Sequence, residues 1–364
     1  MKIVNVLLDH GRVTSRSDFY PLFRWREALL RHGIKVNFFY SLDSKLYNSD
    51  VVILSSRYFM DWQDITRRNI KSEEKLISVL QELSKKTNKL IWFDVADTTG
   101  STDFGIISYV DTFWKKQLLV DVNKYSLSTK KNVRVWLPQK IQDEYIIGTP
   151  FDYSPCPINN IKKLKIAWNI GFNDYRFSNK YLAGLSLLFP KNKGLRPKII
   201  SHENREIDIL NRGSVLESKN VHSYQRNMIF SKLSLIQNRY IDKHIITNGY
   251  IKKTKYYREL QNSKVVISPF GWGEVCYKDF EIVLAGALML KPNMSHLNTF
   301  PNIYNEGKTY LSLNWDLSNF NEVIEKVFCN PKMAEDISKE AFESYLNQYN
   351  NSLIFVKHFA EIIK

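Results

Sequence analysis

A glycine-bearing loop before a predicted helix is the part of this sequence best suited to chemistry. Residues 264–268 form an apolar run that predicts a buried strand, and Gly271 and Gly273 follow it. A helix is predicted directly afterwards, so the loop amides and the positive end of the helix dipole could hold a phosphate. Lys278 would add a positive charge there, and Glu281, one turn further, could accept two hydroxyl hydrogen bonds. This pattern is typical of nucleotide binding.

A second group of candidate residues follows an apolar run in the first half, in the stretch WFDVADTTGSTDFG at 92–105. Asp94 is expected at the end of a strand, and Asp97 in the turn beyond it. A carboxylate at this place could act as a general base, and the longer reach of a loop favours Asp97 over Asp94. The alternative is a turn in which Asp97 accepts hydrogen bonds from backbone amides. His10 and Asp18, in the first predicted loop, are the rival candidates.

Alternating strand and helix patterns must position these residues. In the first half, strands are predicted at 2–8, 35–41, 51–56, 90–97 and 133–138, and helices at 21–32 and 73–86. In the second half, strands are predicted at 164–171, 198–201, 244–251, 264–270 and 287–292, and helices at 223–239, 254–262, 277–286, 319–328 and within 333–363. Because parallel neighbours need crossover connections, this alternation predicts an α/β fold with two doubly wound, Rossmann-like parallel sheets. Ligands are then expected in the cleft at the carboxyl ends of the strands.

The length of 364 residues also favours two domains over one hydrophobic core. Three prolines interrupt the pattern within 148–160 and suggest a boundary there. We therefore expect domains at 1–155 and 156–345, followed by a C-terminal helical segment, 346–364, that packs back on the first domain.

Composition narrows the class of protein. Hydrophobic residues make up 44% of the chain, which is enough for two cores, and no stretch is long and apolar enough to span a membrane. The apolar N-terminus is interpreted as a first strand and not a signal peptide, and three scattered cysteines indicate neither a disulfide framework nor a zinc site. We therefore expect a cytoplasmic protein. The net charge of +15 fits either a solvated surface or an anionic partner, but no nucleic-acid-binding signature accompanies it.

Residues 244–292 resemble the donor-binding half of GT-B glycosyltransferases, in the group-1, spore-maturation-type and exostosin-like families. The resemblance is carried by Gly249-Tyr250 after one strand, Ser268-Pro269 after the next, Lys278 three positions before Glu281, and the small pair Ala285-Gly286. It implies that Glu281 holds the ribose of a nucleotide, that Lys278 and the amides of Gly271 and Gly273 hold the diphosphate, and that Gly249 and Tyr250 border the base.

The resemblance extends to two further places. The loop WNIGFNDYRFSN at 168–179 corresponds to the first loop of the donor domain, which implies diphosphate contacts from Asn169, Gly171 and Arg176. Retaining family members carry two glutamates eight positions apart, whereas Glu274 and Glu281 are seven apart here. Glu274 would reach the donor sugar only from a remodelled loop, so the resemblance does not indicate whether configuration is retained.

The sequence therefore predicts a glycosyltransferase that uses a nucleotide-sugar donor and a glycan acceptor, expected to be lipid-linked and part of a surface polysaccharide such as lipopolysaccharide. Since no DxD motif occurs, we expect no metal cofactor, with the helix dipole and basic residues offsetting the leaving diphosphate. The basic surface would hold the protein peripherally at an anionic membrane, and no nucleic-acid partner is expected. Two alternatives stay open: a sugar-nucleotide epimerase or hydrolase on the same fold, and a non-enzymatic basic binding module.

Overall fold

A computed structural model describes most of the chain. It covers residues 1–9, 17–64, 67–99, 102–127, 135–138, 153–175, 194–195, 197–213, 221–247 and 249–364. Two of the sequence candidates, His10 and Arg176, lie outside these residues.

The first unit is built on six parallel strands. They are β1 (Lys2–Leu7), β2 (Ile34–Phe39), β3 (Val51–Ser55), β4 (Leu90–Asp94), β5 (Thr112–Lys115) and β7 (Leu164–Ile166), in the spatial order β2-β1-β3-β4-β5-β7. Its described helices are α1 (Tyr20–Arg24), α2 (Arg26–Arg31), α3 (Met60–Gln63) and α4 (Ile70–Lys86). Strands β3 and β4 are buried over their whole length, which is why they read as continuous apolar runs in the sequence.

The second unit is built on five parallel strands. They are β8 (Ile207–Leu210), β9 (Ile245–Ile246), β10 (Ser263–Ile267), β11 (Leu288–Pro292) and β13 (Leu311–Leu313), in the order β13-β11-β10-β8-β9. Its described helices are α5 (Val221–Arg239), α6 (Lys253–Gln261), α7 (Tyr277–Leu284), α8 (Phe320–Cys329) and α9 (Pro331–Asn350). The predicted α/β class with two parallel sheets is confirmed.

The two units are joined by backbone pairing and by the end of the chain. Strands β6 (Gln117–Leu119) and β12 (Leu297–Thr299) form an antiparallel ribbon between them. The last helix, α10 (Ser352–Ile362), returns to the first unit, where Lys2 Nζ donates to the carbonyl of Ile363 over 2.7 Å. Phe355 of α10 packs against Trp25 and Trp168, with ring centroids 4.9 Å and 5.3 Å apart. One hydrophobic core therefore runs through both units.

Three predicted strands differ from the structure. Residues 164–171 were expected to open the second sheet, but Leu164–Ile166 pairs with β5 and closes the first sheet. The prediction at 198–201 is wrong because Ile199 and Ile200 are 40% and 46% exposed, and the strand lies at Ile207–Leu210 instead. Residues 135–138, the described part of the strand expected at 133–138, form a turn. The domain limits themselves stay a prediction.

Among the residues that the structure describes, no helix is both long and apolar enough to cross a membrane.

Candidate functional site

One buried carboxylate, that of Asp279, fixes the loop between β10 and α7 through hydrogen bonds. Asp279 accepts hydrogen bonds from Ser268 Oγ at 2.5 Å, from Tyr304 OH at 2.7 Å and from the backbone amide of Cys276 at 2.9 Å. Lys291 Nζ completes the set at 3.1 Å, and the side chains of Asp279 and Lys291 are both fully buried. Since Cys276 is the residue before the first turn of α7, these contacts fix where the helix begins.

Two cationic side chains, those of Lys278 and Arg226, lie at this helix start, and Lys278 also contacts the backbone of Arg212. Lys278 Nζ donates to the carbonyl of Arg212 over 3.1 Å. Arg226 of α5 reaches towards the loop, with its Nη2 atom 3.6 Å from the position a Cβ on Gly271 would take. Burial, and then the charge of Arg226, lowers the pKa of Lys278 to about 8. We call Arg212, Arg226 and Lys278 the cationic cluster.

Carboxylates only partly neutralise the cationic cluster. Arg212 forms a two-pronged ion pair with Glu259 of α6, at 2.7 Å and 2.9 Å. Within the described part of the chain, neither Lys278 nor Arg226 has a carboxylate oxygen within ion-pair distance. A cluster with excess positive charge beside a helix N-terminus is suited to an anion that carries more than one negative charge.

Glu281 lies one helical turn beyond Lys278 and faces a cavity of about 660 Å³. Tyr257 OH donates to Glu281 Oε1 over 2.5 Å, and burial together with the charge of Glu281 raises the pKa of Tyr257. Tyr175 also lines this cavity, so aromatic faces and one carboxylate border a space next to the cationic cluster. A nucleoside has the size and chemistry that such a space accommodates.

The remaining donor-binding candidates of the Gly249 and Gly271 segments, Gly249, Tyr250 and Gly273, have different surroundings. Gly249 has φ +94° and approaches Arg212, since a Cβ there would lie 3.2 Å from Nη1. Tyr250 is 94% exposed and does not belong to the cavity lining described above. Gly273 lies against the first unit instead, because a Cβ on it would stand 1.7 Å from the carbonyl oxygen of Asp97.

Asn169 and Gly171 lie in a packed junction and do not form an open phosphate loop. The Gly171 amide donates to Asn169 Oδ1 over 2.7 Å, and Asn169 Nδ2 donates to the carbonyl of Pro301 over 3.0 Å. A Cβ on Gly171 would stand 2.5 Å from the ring of Phe280. These two residues allow α7 to pack closely on the end of β7, and the diphosphate contacts expected of them stay a prediction.

Glu274 is also placed differently from the expectation. Its side chain is buried, with 1% exposure, and Oε2 accepts from the Thr99 amide at 3.0 Å and from Thr99 Oγ1 at 3.2 Å. Thr99 belongs to the loop after β4, so Glu274 ties the two cleft loops together. In this arrangement the carboxylate is engaged by the first unit and does not face a donor sugar.

Asp94 has a structural environment. It is 1% exposed and accepts from Lys115 Nζ at 2.9 Å, Thr102 Oγ1 at 2.9 Å and the Ala96 amide at 3.0 Å. Lys115 Nζ also contacts Thr102 Oγ1. A carboxylate enclosed in this way orients the loop after β4 and has no access to a ligand.

Asp97, in contrast, presents its carboxylate to the cleft. Its side chain is 59% exposed, and Oδ1 is paired with Lys116 Nζ at 2.8 Å. Its carbonyl accepts from Gln117 Nε2 over 2.8 Å, so the backbone is held while the carboxylate stays accessible. Lys116 Nζ also lies 3.9 Å from Asp18 Oδ1.

Residues from both units complete the cleft around Asp97. Asp18, whose side chain is buried, forms an ion pair with Arg57 Nε at 2.7 Å. Tyr277, the first residue of α7, accepts at its hydroxyl from Asn173 Nδ2 over 2.9 Å. Burial and then the charges of Asp18 and Asp97 raise the pKa of Tyr277, so its hydroxyl lies in the field of both carboxylates.

Sequence reasoning missed five residues of this arrangement: Arg57, Lys116, Arg212, Arg226 and Tyr277. Arg212 follows β8, a strand that was not predicted, and Arg226 lies in a helix with no glycine or motif beside it. Lys116 and Arg57 could have been found from their positions just beyond the ends of β5 and β3, because polar residues at carboxyl ends of parallel strands line the cleft.

No family model matches this sequence, and no curated protein matches it either. Solved structures similar to the chain include an alpha-glucosyltransferase in complex with UDP and a 13-mer DNA, at 9% identity and TM-score 0.45 over 100% of this chain and 99% of that one. A glycosyltransferase from Rickettsia africae ESF-5 gives 12% identity and TM-score 0.46 over 100% and 98%. Anabaena Alr3699/HepE in complex with UDP gives 10% and 0.43 over 99% of each chain. Likeness at this level assigns no function, so function is argued from the residues of this chain.

Proposed function

We propose that this protein is a glycosyltransferase that moves a sugar from a nucleotide-sugar donor to a glycan acceptor. One observation carries the proposal: the loop at the start of α7 lies beside Arg226 at Gly271 and against the backbone of Asp97 at Gly273, and the Asp97 carboxylate is accessible. The cluster is suited to a diphosphate, and the carboxylate to a hydroxyl group that must lose its proton. Glycosyl transfer from a nucleotide sugar needs both groups.

The donor would lie across the start of α7. The ribose hydroxyls would bond to Glu281 in the cavity shared with Tyr175 and Tyr257, and the diphosphate would lie at the cationic cluster and the helix N-terminus. Because burial and Arg226 lower the pKa of Lys278, a bound dianion would raise that pKa again and hold the ammonium in its charged form.

In the proposed reaction, the acceptor hydroxyl oxygen forms a bond to the anomeric carbon of the sugar while the bond from that carbon to the diphosphate oxygen breaks. Asp97 takes the hydroxyl proton, and the nucleoside diphosphate leaves with the electron pair of the broken bond. The cationic cluster and the dipole of α7 stabilise the charge that develops on the leaving oxygen. Tyr277, between the two loops, would orient the reacting groups.

The cationic cluster supplies the positive charge that a metal supplies in other enzymes, so we propose metal-independent transfer. Turnover should then be unchanged when a chelator such as EDTA is added to the purified protein. Loss of activity in EDTA that magnesium or manganese restores would contradict this part of the proposal.

The acceptor is proposed to be a lipid-linked glycan of surface polysaccharide assembly, such as lipopolysaccharide, reached from the cytoplasmic side. The net charge of +15 supports peripheral association with an anionic membrane, since basic residues near such a surface are attracted to it. The proposal includes no nucleic-acid partner.

Two measurements test the proposal. A thermal-shift panel of nucleosides, nucleoside diphosphates and nucleotide sugars should contain a ligand that raises the melting temperature, because a ligand that binds only the folded state stabilises it. Product analysis with that nucleotide sugar then separates the alternatives. Free sugar or an epimer formed without any acceptor would favour a hydrolase or epimerase, and no nucleotide binding at all would favour a non-enzymatic module.

A further inference from the structure

A second cavity, of about 470 Å³, lies in the first unit, between the end of β3 and the start of α4. Its described lining contains neither Asp97 nor any residue of the cationic cluster. It is therefore separate from the proposed donor site, and its chemistry differs from that of the nucleoside cavity.

The floor of this cavity is apolar and largely aromatic. Tyr58, Phe59, Trp62, Leu76 and Val79 line it. Trp62 is 2% exposed, and Phe59 stacks at a distance on Trp92, with ring centroids 5.4 Å apart. Such a floor packs against the apolar part of a ligand and offers few hydrogen-bond partners to a free sugar.

The rim on one side is cationic. Arg67, Lys71 and Lys75 line it, against the single carboxylate of Asp61. Among the described residues, neither Lys71 nor Lys75 forms an ion pair, while Arg67 is paired with Asp64 at 3.2 Å. Lys71 and Lys75 are four positions apart on one helix, where like charges repel each other. An anion between the two ammonium groups would relieve that repulsion.

Buried donors next to the floor lack acceptors. Trp62 Nε1 and Arg68 Nη2 are buried, and neither has a hydrogen-bond partner in the described part of the chain. The Arg68 guanidinium lies over the Trp62 ring, 4.3 Å from its centroid, while its Nη1 atom is paired with Asp103. Both atoms are closed off from solvent, so the stacked pair of Trp62 and Arg68 holds the floor in place and offers no donor to a ligand.

We propose that this cavity binds an amphiphilic phosphate ester, with its apolar chain on the aromatic floor and its phosphate between Lys71 and Lys75. The N-terminus of α4, a helix of 17 residues, adds its positive dipole end to that side of the cavity. The inference rests on the proposed function, because the ligand would be the carrier of the acceptor.

The cavity and the cleft are adjacent along the chain. Tyr58, which lines the cavity, follows directly after Arg57, whose ion pair with Asp18 forms one wall of the cleft. In the proposed complex, a ligand anchored by its phosphate at Lys71 and Lys75 would extend its polar end along this stretch, towards Arg57 and Asp97.

The test is calorimetric titration of the full chain with decyl phosphate, decanol and inorganic phosphate. We expect decyl phosphate to bind at least about tenfold more tightly than either of the other two, since only it engages both the floor and the rim. The double variant K71Q/K75Q should lose about tenfold or more of that affinity. The control K35Q/K85Q removes the same charge from exposed lysines away from the cavity, and should bind decyl phosphate as the wild type does.

A substitution in the apolar floor tests the proposal independently of the two lysines. Val79→Gln places an amide on the half-buried lining and should weaken decyl phosphate several-fold while leaving inorganic phosphate unchanged. Equal losses in K71Q/K75Q and K35Q/K85Q, or equal affinity for decyl phosphate and inorganic phosphate, would overturn the inference.

Vesicle flotation identifies the source of the phosphate. Phosphatidylcholine vesicles that contain a polyprenyl phosphate should retain the wild type and K35Q/K85Q but not K71Q/K75Q, whereas vesicles with phosphatidylglycerol should retain the two double variants equally. Binding of decyl phosphate without retention on polyprenyl phosphate vesicles would indicate a soluble phosphate ester. Nucleoside diphosphate affinity should be the same in K71Q/K75Q and wild type, so failure of the donor site and failure of this cavity give different results.

Discussion

Two lysine–aspartate pairs lie on opposite sides of the cleft, and they differ most in how far the carboxylate is exposed. Asp279 and Lys291, under the donor loop, are fully buried, and Asp279 accepts three further hydrogen bonds. Asp97 and Lys116, on the other side, form one short contact in which the carboxylate is 59% exposed. The first pair is built to hold a loop in place, and the second leaves a charged oxygen accessible to a ligand.

The same contrast recurs within the loop after β4. Asp94 is enclosed by Lys115, Thr102 and a backbone amide, while Asp97, three residues later, opens to the cleft. Burial therefore separates the carboxylates that position the loops from those that can meet a substrate. Loss of an enclosed carboxylate should therefore lower stability, and loss of an accessible one should lower turnover.

The largest expected effect is on turnover, in Asp97→Asn. Loss of the proton-accepting carboxylate should lower kcat by roughly two to four orders of magnitude, the usual scale for general acid–base assistance. Nucleotide affinity should stay close to that of the wild type, while the melting temperature should fall modestly, because the buried partner Lys116 keeps, among the described residues, only Asp18, at 3.9 Å. Steady-state kinetics with a thermal melt measures both. If the variant keeps more than about a tenth of wild-type turnover, Asp97 serves as a turn residue and not as the general base.

The buried pair should show the reverse behaviour. Asp279→Ala leaves the Lys291 ammonium buried without a carboxylate, which typically costs about 3–5 kcal/mol of unfolding free energy. Denaturant unfolding would measure this loss. Adding Lys291→Met in the same chain removes the stranded charge and should recover much of the stability. Lys264→Met, which breaks the more exposed pair with Asp208, should cost about 1 kcal/mol or less.

The two loops must also meet, and Gly273 decides how closely. A Cβ at this position would stand 1.7 Å from the carbonyl oxygen of Asp97, so Gly273→Ala must push the loops apart. Displacement by about 1 Å at a reacting centre can cost on the order of 100-fold in turnover. Gly271→Ala is the matched control, because its Cβ would meet only ordinary contacts of 3.5 Å or more. Equal turnover in the two alanine variants would show that the reaction does not depend on the contact between the two loops.

Local features of this cleft were predictable from the sequence, and features that depend on distant contacts were not. The strand before Gly271, the helix that bears Lys278 and Glu281, and the loop that bears Asp94 and Asp97 all follow from apolar runs and turn residues. These signals are local, since they depend on the burial of one strand and the start of one helix.

The misplaced predictions concern partners far away in the chain. Leu164–Ile166 joins the first sheet because it pairs with β5, some fifty residues earlier, and no local pattern records that pairing. Glu274 is expected from the sequence to reach a donor sugar only from a remodelled loop, and its carboxylate accepts from Thr99 of the other unit. Gly171 has the surroundings of a phosphate loop in sequence, yet Phe280 fills the space beside it.

The smallest expected effect concerns the charge of Lys278 in nucleotide binding. Lys278→Ala should weaken a nucleoside diphosphate by about 1–3 kcal/mol, the scale of hydrogen bonds to charged groups, and leave the nucleoside nearly unchanged. Glu281→Ala should weaken both, because its proposed partner is the ribose. Calorimetric titration of each variant with nucleoside and nucleoside diphosphate measures the difference.

The pH dependence of binding shows whether Lys278 is the group that holds the diphosphate. Burial and the charge of Arg226 lower its pKa to about 8 in the free protein, so its ammonium is charged below that pH and loses its proton above it. Phosphate groups are fully ionised over the same range, since their second pKa is near 6. Wild-type affinity for the nucleoside diphosphate should therefore decline as the pH rises through about 8, while affinity for the nucleoside stays level. Lys278→Arg keeps the charge at every pH of this range and should flatten the profile. If the arginine variant declines with pH as steeply as the wild type, another group controls the affinity, and the diphosphate lies away from the start of α7.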